Sequence, residues 1–345
     1  MNVDTVFFFM ATIYEVSKAA GVSLATVSRV INGNARVSER TKEKVHKAMD
    51  ALGYKPNAIA QSLASNRTNS VGLLVSELHG SFFGDMMSSI ESMLRDAGKH
   101  VVITAGHSEA EKEKQAIEFL ISRRCDALIL NAEAVSEDYL KSLLDNNIEI
   151  ILINRDIESL QERCIVLDNQ LGGYLATKAA IEQGHTEIAY ISGPHFKEDA
   201  QQRLAGHKQA LKEANISFDS DLCFEGGYHE SEGQEGFNVL RSANDSFTAL
   251  VCANDEMASG AMTAARENGL SIPEDLSIIG FDNVLFARYL YPKLTTVDNP
   301  IAKMGEMAAN WVLSNIYQQK INTEITHLFK PELVVRDSLG AVRAG

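Results

Sequence analysis

From Ser70 onward, short and nearly continuous apolar runs alternate with longer stretches of helical spacing. The runs are Val71–Val75, His100–Ile103, Ala127–Leu130, Ile150–Ile153, Ile188–Ile191, Ala249–Cys252 and Leu276–Gly280. A continuous apolar run of this length suits a parallel strand covered on both faces. Between the runs, stretches such as 109–124 and 255–268 carry apolar positions at helical spacing and predict crossover helices, which take the right-handed sense. The expected body is α/β: two doubly wound parallel-sheet subdomains with a ligand cleft between them. Chain crossings between the subdomains are expected near Val166, Asp298 and Phe329. That places an N-subdomain at about 70–166 and 298–328, and a C-subdomain at about 167–297 and 329–340, within a body of 70–340.

The N-terminal stretch has helical spacing only. Thr12 and Glu15 stand three apart, a capping box opening a helix whose apolar side is Val16, Ala19 and Ala20. Gly21 supplies a left-handed end. Val22 is a buried-turn candidate, and Ser23 caps a second helix, Leu24–Asn32. On that helix Val27, Val30 and Ile31 share one side. Leu24, Ala25, Ser28, Arg29 and Asn32 share the other. A third helix runs from a Ser38 cap to Leu52, with Val45, Ala48, Met49 and Leu52 closing a three-helix core and Gly53 ending it. Pro56 disfavours helix at Lys55, so Tyr54–Asn57 reads as a turn. The all-α helix-turn-helix head is thus expected over 10–56. A short, almost uncharged helix, Ala58–Ala64, follows within a 57–69 segment.

The division of the second helix is what a recognition helix needs. One side docks on its own domain while the other enters a major groove roughly 12 Å wide. Arg29 can reach guanine with two hydrogen bonds. Thr26, Ser28 and Asn32 suit phosphate oxygens, and Leu24 and Ala25 can meet thymine methyls. The alternative is an ordinary amphipathic helix pair. Ala58–Ala64 is too short to be a stable helix alone. It is either a linker or a hinge helix that forms on DNA, with Leu63 wedged between base steps in the minor groove. Charge favours the nucleic-acid reading. Residues 1–70 hold nine Lys or Arg against five Asp or Glu, a net of +4, in a chain of formal net charge −14, so the remainder carries −18. An acidic chain normally argues against nucleic acid, but the asymmetry reverses that inference.

Ligands of doubly wound sheets sit outside the carboxyl ends of the strands. That rule picks Phe82 and Phe83 after the first run, His107 after the second, Asn131 after the third, and Asn154 and Arg155 after the fourth. It also picks the loop leading to Arg203, Asn254 before Asp255, and Asp282 between Phe281 and Asn283. Tyr228 falls in a loop over the cleft. Polar groups that bond hydroxyls, with an aromatic face beside them, suit a sugar. Each has a plainer alternative. Asn254 and Asp282 can cap helices, Arg203 can make a surface salt bridge, Phe83 can be core, and His107 can be a solvated loop residue.

The ordered motifs Ala11–Ile13, Val16, Ala20–Ser23, Ala25–Val30, Asn32, Gly53–Tyr54, Pro56–Asn57, Ala60 and Leu63–Ala64 resemble the lactose/galactose repressor family, and the resemblance runs over essentially the whole chain after Met10. It implies a body of periplasmic-binding-protein type in a homodimeric, effector-controlled repressor. It also implies DNA contacts from Thr12, Ser23, Tyr54, Asn57, Ala60 and Leu63 besides the recognition-helix positions. Partners would be a pseudo-palindromic operator and a small sugar. The segments His107–Ile117, Arg124–Leu128, Leu152–Arg155 and Arg163–Asp168 are similar to the galactose branch, which makes D-galactose the implied inducer. A sister branch for aryl-β-glucosides shares part of them, and purine-responsive relatives are corepressor-dependent. The recognition helix departs from the galactose branch at Leu24, where Val is usual, which bears on the operator sequence.

Composition narrows the rest. Cys125, Cys164, Cys223 and Cys252 are widely spaced, with no CxxC pair, and read as buried free thiols in a reducing cytoplasm. No apolar run approaches the ~20 residues of a membrane span. No P-loop, HExxH, GxSxG or post-strand GxGxxG occurs, so neither an enzyme, a metal site nor a cofactor is expected. Residues 1–9 lack a positive n-region and a proper apolar h-region, which argues against a secreted sugar-binding protein. They are expected to be an over-extended reading frame ahead of a true start at Met10, or else a disordered tail. Intact mass of the natively expressed protein separates the two.

Overall fold

Thr12 opens the first helix, α1 (Ile13–Ala20), with a complete capping box. Its Oγ1 accepts from Glu15 N, and Glu15 Oε2 accepts from Thr12 N at 2.7 Å. Gly21 ends α1 at φ +64°, and Val22 N closes back onto Ser17 O. Ser23 Oγ accepts from Thr26 N at the start of α2 (Leu24–Ile31). The third helix, α3 (Glu39–Leu52), starts after Ser38. The hydroxyl of Ser38 does not cap the backbone as expected, and bonds Thr41 Oγ1 at 2.9 Å instead. Val16, Ala20, Val27, Val30, Val45 and Ala48 form the buried core of these helices, with Ile13, Ile31 and Met49 packed against it. Ala19 and Leu52, expected in that core, are exposed, Leu52 by 39%. Tyr54, after the Gly53 turn, also packs against this core.

The computed structural model describes residues 11–31, 37–55 and 67–342. The chain divides into two compact units at Asn69/Ser70. The second unit holds two six-stranded sheets. The first sheet is built from β1 (Ser70–Val75), β2 (His100–Ala105), β3 (Ala127–Leu130), β4 (Ile150–Ile153), β5 (Cys164–Leu167) and a late β11 (Leu328–Phe329). Its order is β11-β5-β4-β3-β1-β2, all parallel. Helices α4 (Ser81–Asp96), α5 (Ala110–Ser122) and α6 (Glu137–Asp145) connect successive strands.

The second sheet comprises β6 (Ile188–Ser192), β7 (Cys223–Glu225), β8 (Ala249–Cys252), β9 (Ser277–Asp282), β10 (Thr295–Asp298) and β12 (Glu332–Val334). Its order is β12-β10-β9-β8-β6-β7, parallel except for the antiparallel β10–β12 edge. Its helices are α7 (Asn169–Glu182), α8 (Glu198–Glu213), α9 (Glu230–Ala243) and α10 (Asp255–Glu267). The helix α11 (Ile301–Asn315) returns to pack on α4, β4 and β5. The chain therefore crosses between sheets after Leu167, after Asp298 and after Phe329, with β11 still in the first sheet.

Burial follows position in the sheet. β3, β4 and β8 are buried at every residue, as their apolar runs require. β2 is not covered on both faces: it is an edge strand with no fully buried residue, and Ile103 is 38% exposed. Cys164 and Cys252 are buried, whereas Cys125 and Cys223 are only half-buried, which corrects the expectation for those two. Burial pushes all four thiols up, those of Cys125 and Cys164 to about 11, so they are protonated and unreactive at neutral pH. No helix among the described residues is long and apolar enough to cross a membrane.

Candidate effector cleft and DNA-binding face

On α2 the burial of Val27 and Val30 leaves Ala25 and Arg29 exposed, and Leu24, Thr26 and Ser28 half-buried. The expected outward face is thus the accessible one. Thr12 and Ser23 are engaged in capping, and Ser23 Oγ and Thr26 Oγ1 bond one another at 2.9 Å. Tyr54 packs its ring on the core of the head. Asn32, Asn57, Ala60 and Leu63 lie outside the described residues.

In the second unit, the carboxyl ends of both sheets face a cleft enclosing a cavity of about 230 Å³. Nine of the ten cleft residues expected from strand ends line it: Phe82, Phe83, His107, Asn131, Asn154, Arg203, Tyr228, Asn254 and Asp282. Arg155 does not, because its guanidinium turns back to donate to Ala132 O at 3.0 Å. His107, Asn154, Tyr228 and Asp282 all adopt positive φ, Asp282 at 102°. Such backbone costs about 1–3 kcal/mol per residue and gathers where side chains must be aimed.

Arg203 forms the floor. It is 4% exposed, projects from α8, and has its guanidinium carbon 3.8 Å from the centroid of the Phe281 ring. Nε donates to Asn169 Oδ1 at 2.9 Å and Nη1 to Ala253 O at 2.6 Å. Asp282 Oδ1 and Asp199 Oδ2 each stand 3.6 Å from its nitrogens. Burial pulls its pKa down, but Asp282, Tyr228 and Asp199 outweigh that and hold it above the ordinary value. Burial raises Asp282, against the opposing pull of Arg203 and of the Asn299 amide, which donates to it at 3.0 Å. This is a buried ion pair rather than a surface salt bridge. Its spacing beyond direct hydrogen-bond length leaves lone pairs and N–H groups for a third party.

The strand-end amides divide. Asn254 uses both side-chain atoms within the protein: Oδ1 caps α10 through Met257 N, and Nδ2 donates to Tyr228 O, each at 2.9 Å. Its capping alternative is therefore realised, whereas Asp282 caps nothing. Asn131, 1% exposed, accepts from Ser76 Oγ and donates to Ile153 O, tying together the ends of β1, β3 and β4. His107 remains half-exposed and meets Glu77 Oε1 at 3.2 Å. Phe82 and Phe83 meet edge to face at 5.3 Å. Tyr228 donates to Asp199 Oδ2 at 3.1 Å, over Gly193, where a Cβ would stand 2.2 Å from the ring.

Sequence reasoning missed Glu133, Lys197 and Asp199, which also line the cleft. They follow no apolar run directly. The loop after β6 was expected to lead to Arg203, and helical spacing back from Arg203 would have reached Asp199, its i−4 neighbour.

Residues 12–57 match the family described as bacterial regulatory proteins, lacI family, and residues 177–339 match a periplasmic binding protein-like domain. The chain is 42% identical over 330 residues to the HTH-type transcriptional regulator GalR of Escherichia coli (strain K12), covering 96% of each chain. It is 37% identical over 332 residues to the HTH-type transcriptional repressor PurR of Vibrio vulnificus (strain CMCP6), covering 96% of this chain and 99% of the other. Among solved structures it is similar to the Lac repressor dimer bound to operator and the anti-inducer ONPF, with TM-score 0.84, 29% identity, and coverage of 96% and 100%.

A helix-turn-helix head and a two-sheet domain of periplasmic-binding-protein type define a DNA-binding transcriptional regulator. The chain belongs to the LacI family, whose members are regulators and not enzymes.

Proposed function

We propose that the chain is an operator-binding repressor released by a small sugar, with D-galactose the ligand of first choice. The observation that carries this is the buried Arg203 flanked by Asp199 and Asp282, beside the Phe82–Phe83 pair. Alternating carboxylate and guanidinium groups bond the donors and acceptors of neighbouring hydroxyls, and an aromatic face covers the apolar side of a pyranose. The choice of galactose is supported by the resemblance of the His107–Ile117 and Leu152–Arg155 segments to the galactose branch, and by the 42% identity to GalR.

The working unit in this reading is a homodimer on a pseudo-palindromic operator, as the similar Lac repressor structure is a dimer on its operator. The head domain spans 10–56, a hinge 57–69 and the effector domain 70–340. Sugar closes the cleft, the N-subdomains shift, the paired hinge segments lose order and the heads lose register. Sugar and operator then weaken each other by the same factor.

Fluorescence anisotropy of a labelled galactose-type operator, at fixed salt and with or without D-galactose, tests this directly. Tight binding released by the sugar is the expected result. Tight binding indifferent to galactose rejects the sugar and calls for β-glucosides and nucleosides. Binding tightened by a ligand makes the coupling corepression. No specific binding directs attention to Leu24 and to selection from random DNA. Leu63→Ala is expected to lose specific operator binding and keep sugar affinity; unchanged operator affinity contradicts a minor-groove role.

A further inference from the structure

Glu113, on α5, is 1% exposed, and its carboxylate accepts three successive backbone N–H groups. Oε1 takes Glu133 N at 2.9 Å, while Oε2 takes Ala134 N at 2.9 Å and Val135 N at 2.8 Å. Charge-assisted bonds from three consecutive amides hold the chain after β3 in one conformation. A Cβ on Gly106 would stand 2.6 Å from Glu113 Cγ, so the turn after β2 can close on this carboxylate only with glycine there.

The residue presented by that loop is Glu133. Its Oε2 accepts from Ser108 Oγ at 2.5 Å and meets Lys197 Nζ at 2.8 Å. Glu133 follows the third strand of the first sheet, and Lys197 directly precedes α8 of the second. The ion pair therefore spans the cleft from one subdomain to the other. Its side chains are only 17% and 13% exposed, and Lys197 also lies 5.4 Å from the Tyr228 ring centroid. An exposed pair contributes little, because water and salt screen it. This one is largely withdrawn from water and fixed on one side by Glu113.

We propose that Glu133 and Lys197 form a latch that holds the cleft closed, with Glu113 as the positioning residue that sets it, and that the latch governs how long an effector stays bound. The last part rests on the cleft being the effector site. An interaction made only when the subdomains meet contributes entirely to the closed state. A ligand enclosed there leaves through opening, so the latch acts on the dissociation rate.

Hydrogen exchange of the ligand-free full chain, read by mass spectrometry, tests the latch without any sugar. Glu133→Gln and Lys197→Met are each expected to speed exchange about 5- to 30-fold in residues 131–136 and 193–200. The double variant is expected to be no faster than the faster single, as for two halves of one interaction. Glu113→Gln is expected to speed both segments likewise, and adding Lys197→Met to it should speed 193–200 no further. Peptides over β3, β4 and β8 must stay protected; Lys197→Met, which leaves the Glu113 cluster intact, carries the test if a Glu113 variant unfolds. Unchanged exchange in the singles, or additive effects in the double, overturns the latch. A stopped-flow arm with D-galactose is expected to show faster release in both singles. If wild type binds no galactose but exchange is non-additive, the sugar assignment falls and the latch stands. If galactose binds and exchange is additive, the latch falls and the sugar assignment stands.

Discussion

Arg203 lies against Gly173 with so little clearance that a Cβ on the glycine would stand 2.0 Å from the Arg203 carbonyl oxygen. One turn along α8, a Cβ on Gly206 would meet Gln170 O, also at 2.0 Å. Two glycines thus let α7 and α8 touch backbone to backbone, which sets how far Arg203 reaches into the cleft. Gly173→Ala forces backbone apart rather than a flexible side chain. The expected cost is about 3 kcal/mol in urea unfolding, with weakened effector binding from a displaced Arg203.

Arg203→Met leaves Asp199 and Asp282 without their cation in a buried site. The expected loss is about 3–5 kcal/mol together with all response to the effector. Adding Asp282→Asn removes one stranded charge, and the double variant should recover part of the stability but none of the response. Chemical denaturation and sugar titration read the two effects separately. Operator binding by the folded fraction is expected to survive.

The Thr12–Glu15 box is the first reinforcement of the head. Thr12→Ala removes an N-cap oxygen and is expected to destabilise the head by about 1 kcal/mol. Glu15 sits below the usual carboxylate range because it accepts from the backbone and then the hydroxyl of Thr12, so the box weakens as Glu15 is protonated. Far-UV circular dichroism on heating, at neutral and at acid pH, should show the difference between wild type and variant shrinking in acid.

Stability should depend on pH at two sites in opposite senses. Burial, then the Lys208 charge, pushes His207 down to about 3, where it stays neutral against Thr177. The neutral form is favoured in the fold, so its contribution is present above pH 6.5 and lost as pH falls toward 3. Glu256 is pushed up to about 7 by burial and by Glu230 and Asp282. Its protonated form is favoured in the fold, so that contribution is present below pH 4.5 and lost as pH rises through 7. Glu256→Gln should flatten the stability profile between pH 4.5 and 7 and raise stability at pH 8 by about 1 kcal/mol, allowing for solvent screening of this half-buried group. His207→Gln should flatten the acid limb, whatever its effect at neutral pH. Urea midpoints across pH 4–8 check both.

Local patterns carried far where one element settles its own hydrogen bonds or its own burial. The Thr12–Glu15 box, the Gly21 turn and the Ser23 cap involve partners within five residues, so spacing alone reveals them. The runs at β3, β4 and β8 declare strands because central strands must be apolar on both faces. β10, Thr-Thr-Val-Asp, carries no such run. Its threonines are buried because Thr296 finds Asp255 and Thr295 finds Arg336 N and Ser338, partners about forty residues away.

By itself, then, the sequence determined the helix-turn-helix order, the strand-and-helix alternation of the body, and the strand ends from which a cleft would be lined. These follow from periodicity, capping and the geometry of parallel sheets, all of which act within one element or between neighbours. Tertiary structure decided which polar groups at those strand ends remain open to a ligand. Arg155 turned to a carbonyl of the neighbouring loop, Asn254 gave its amide N–H to the Tyr228 carbonyl, and Arg203 met an aspartate from seventy-nine positions further on. Tertiary structure also placed Glu133 opposite Lys197. A buried charge is tolerated only when its partner arrives, and here the partners arrive from other strands and the other sheet, a distance over which no local pattern extends.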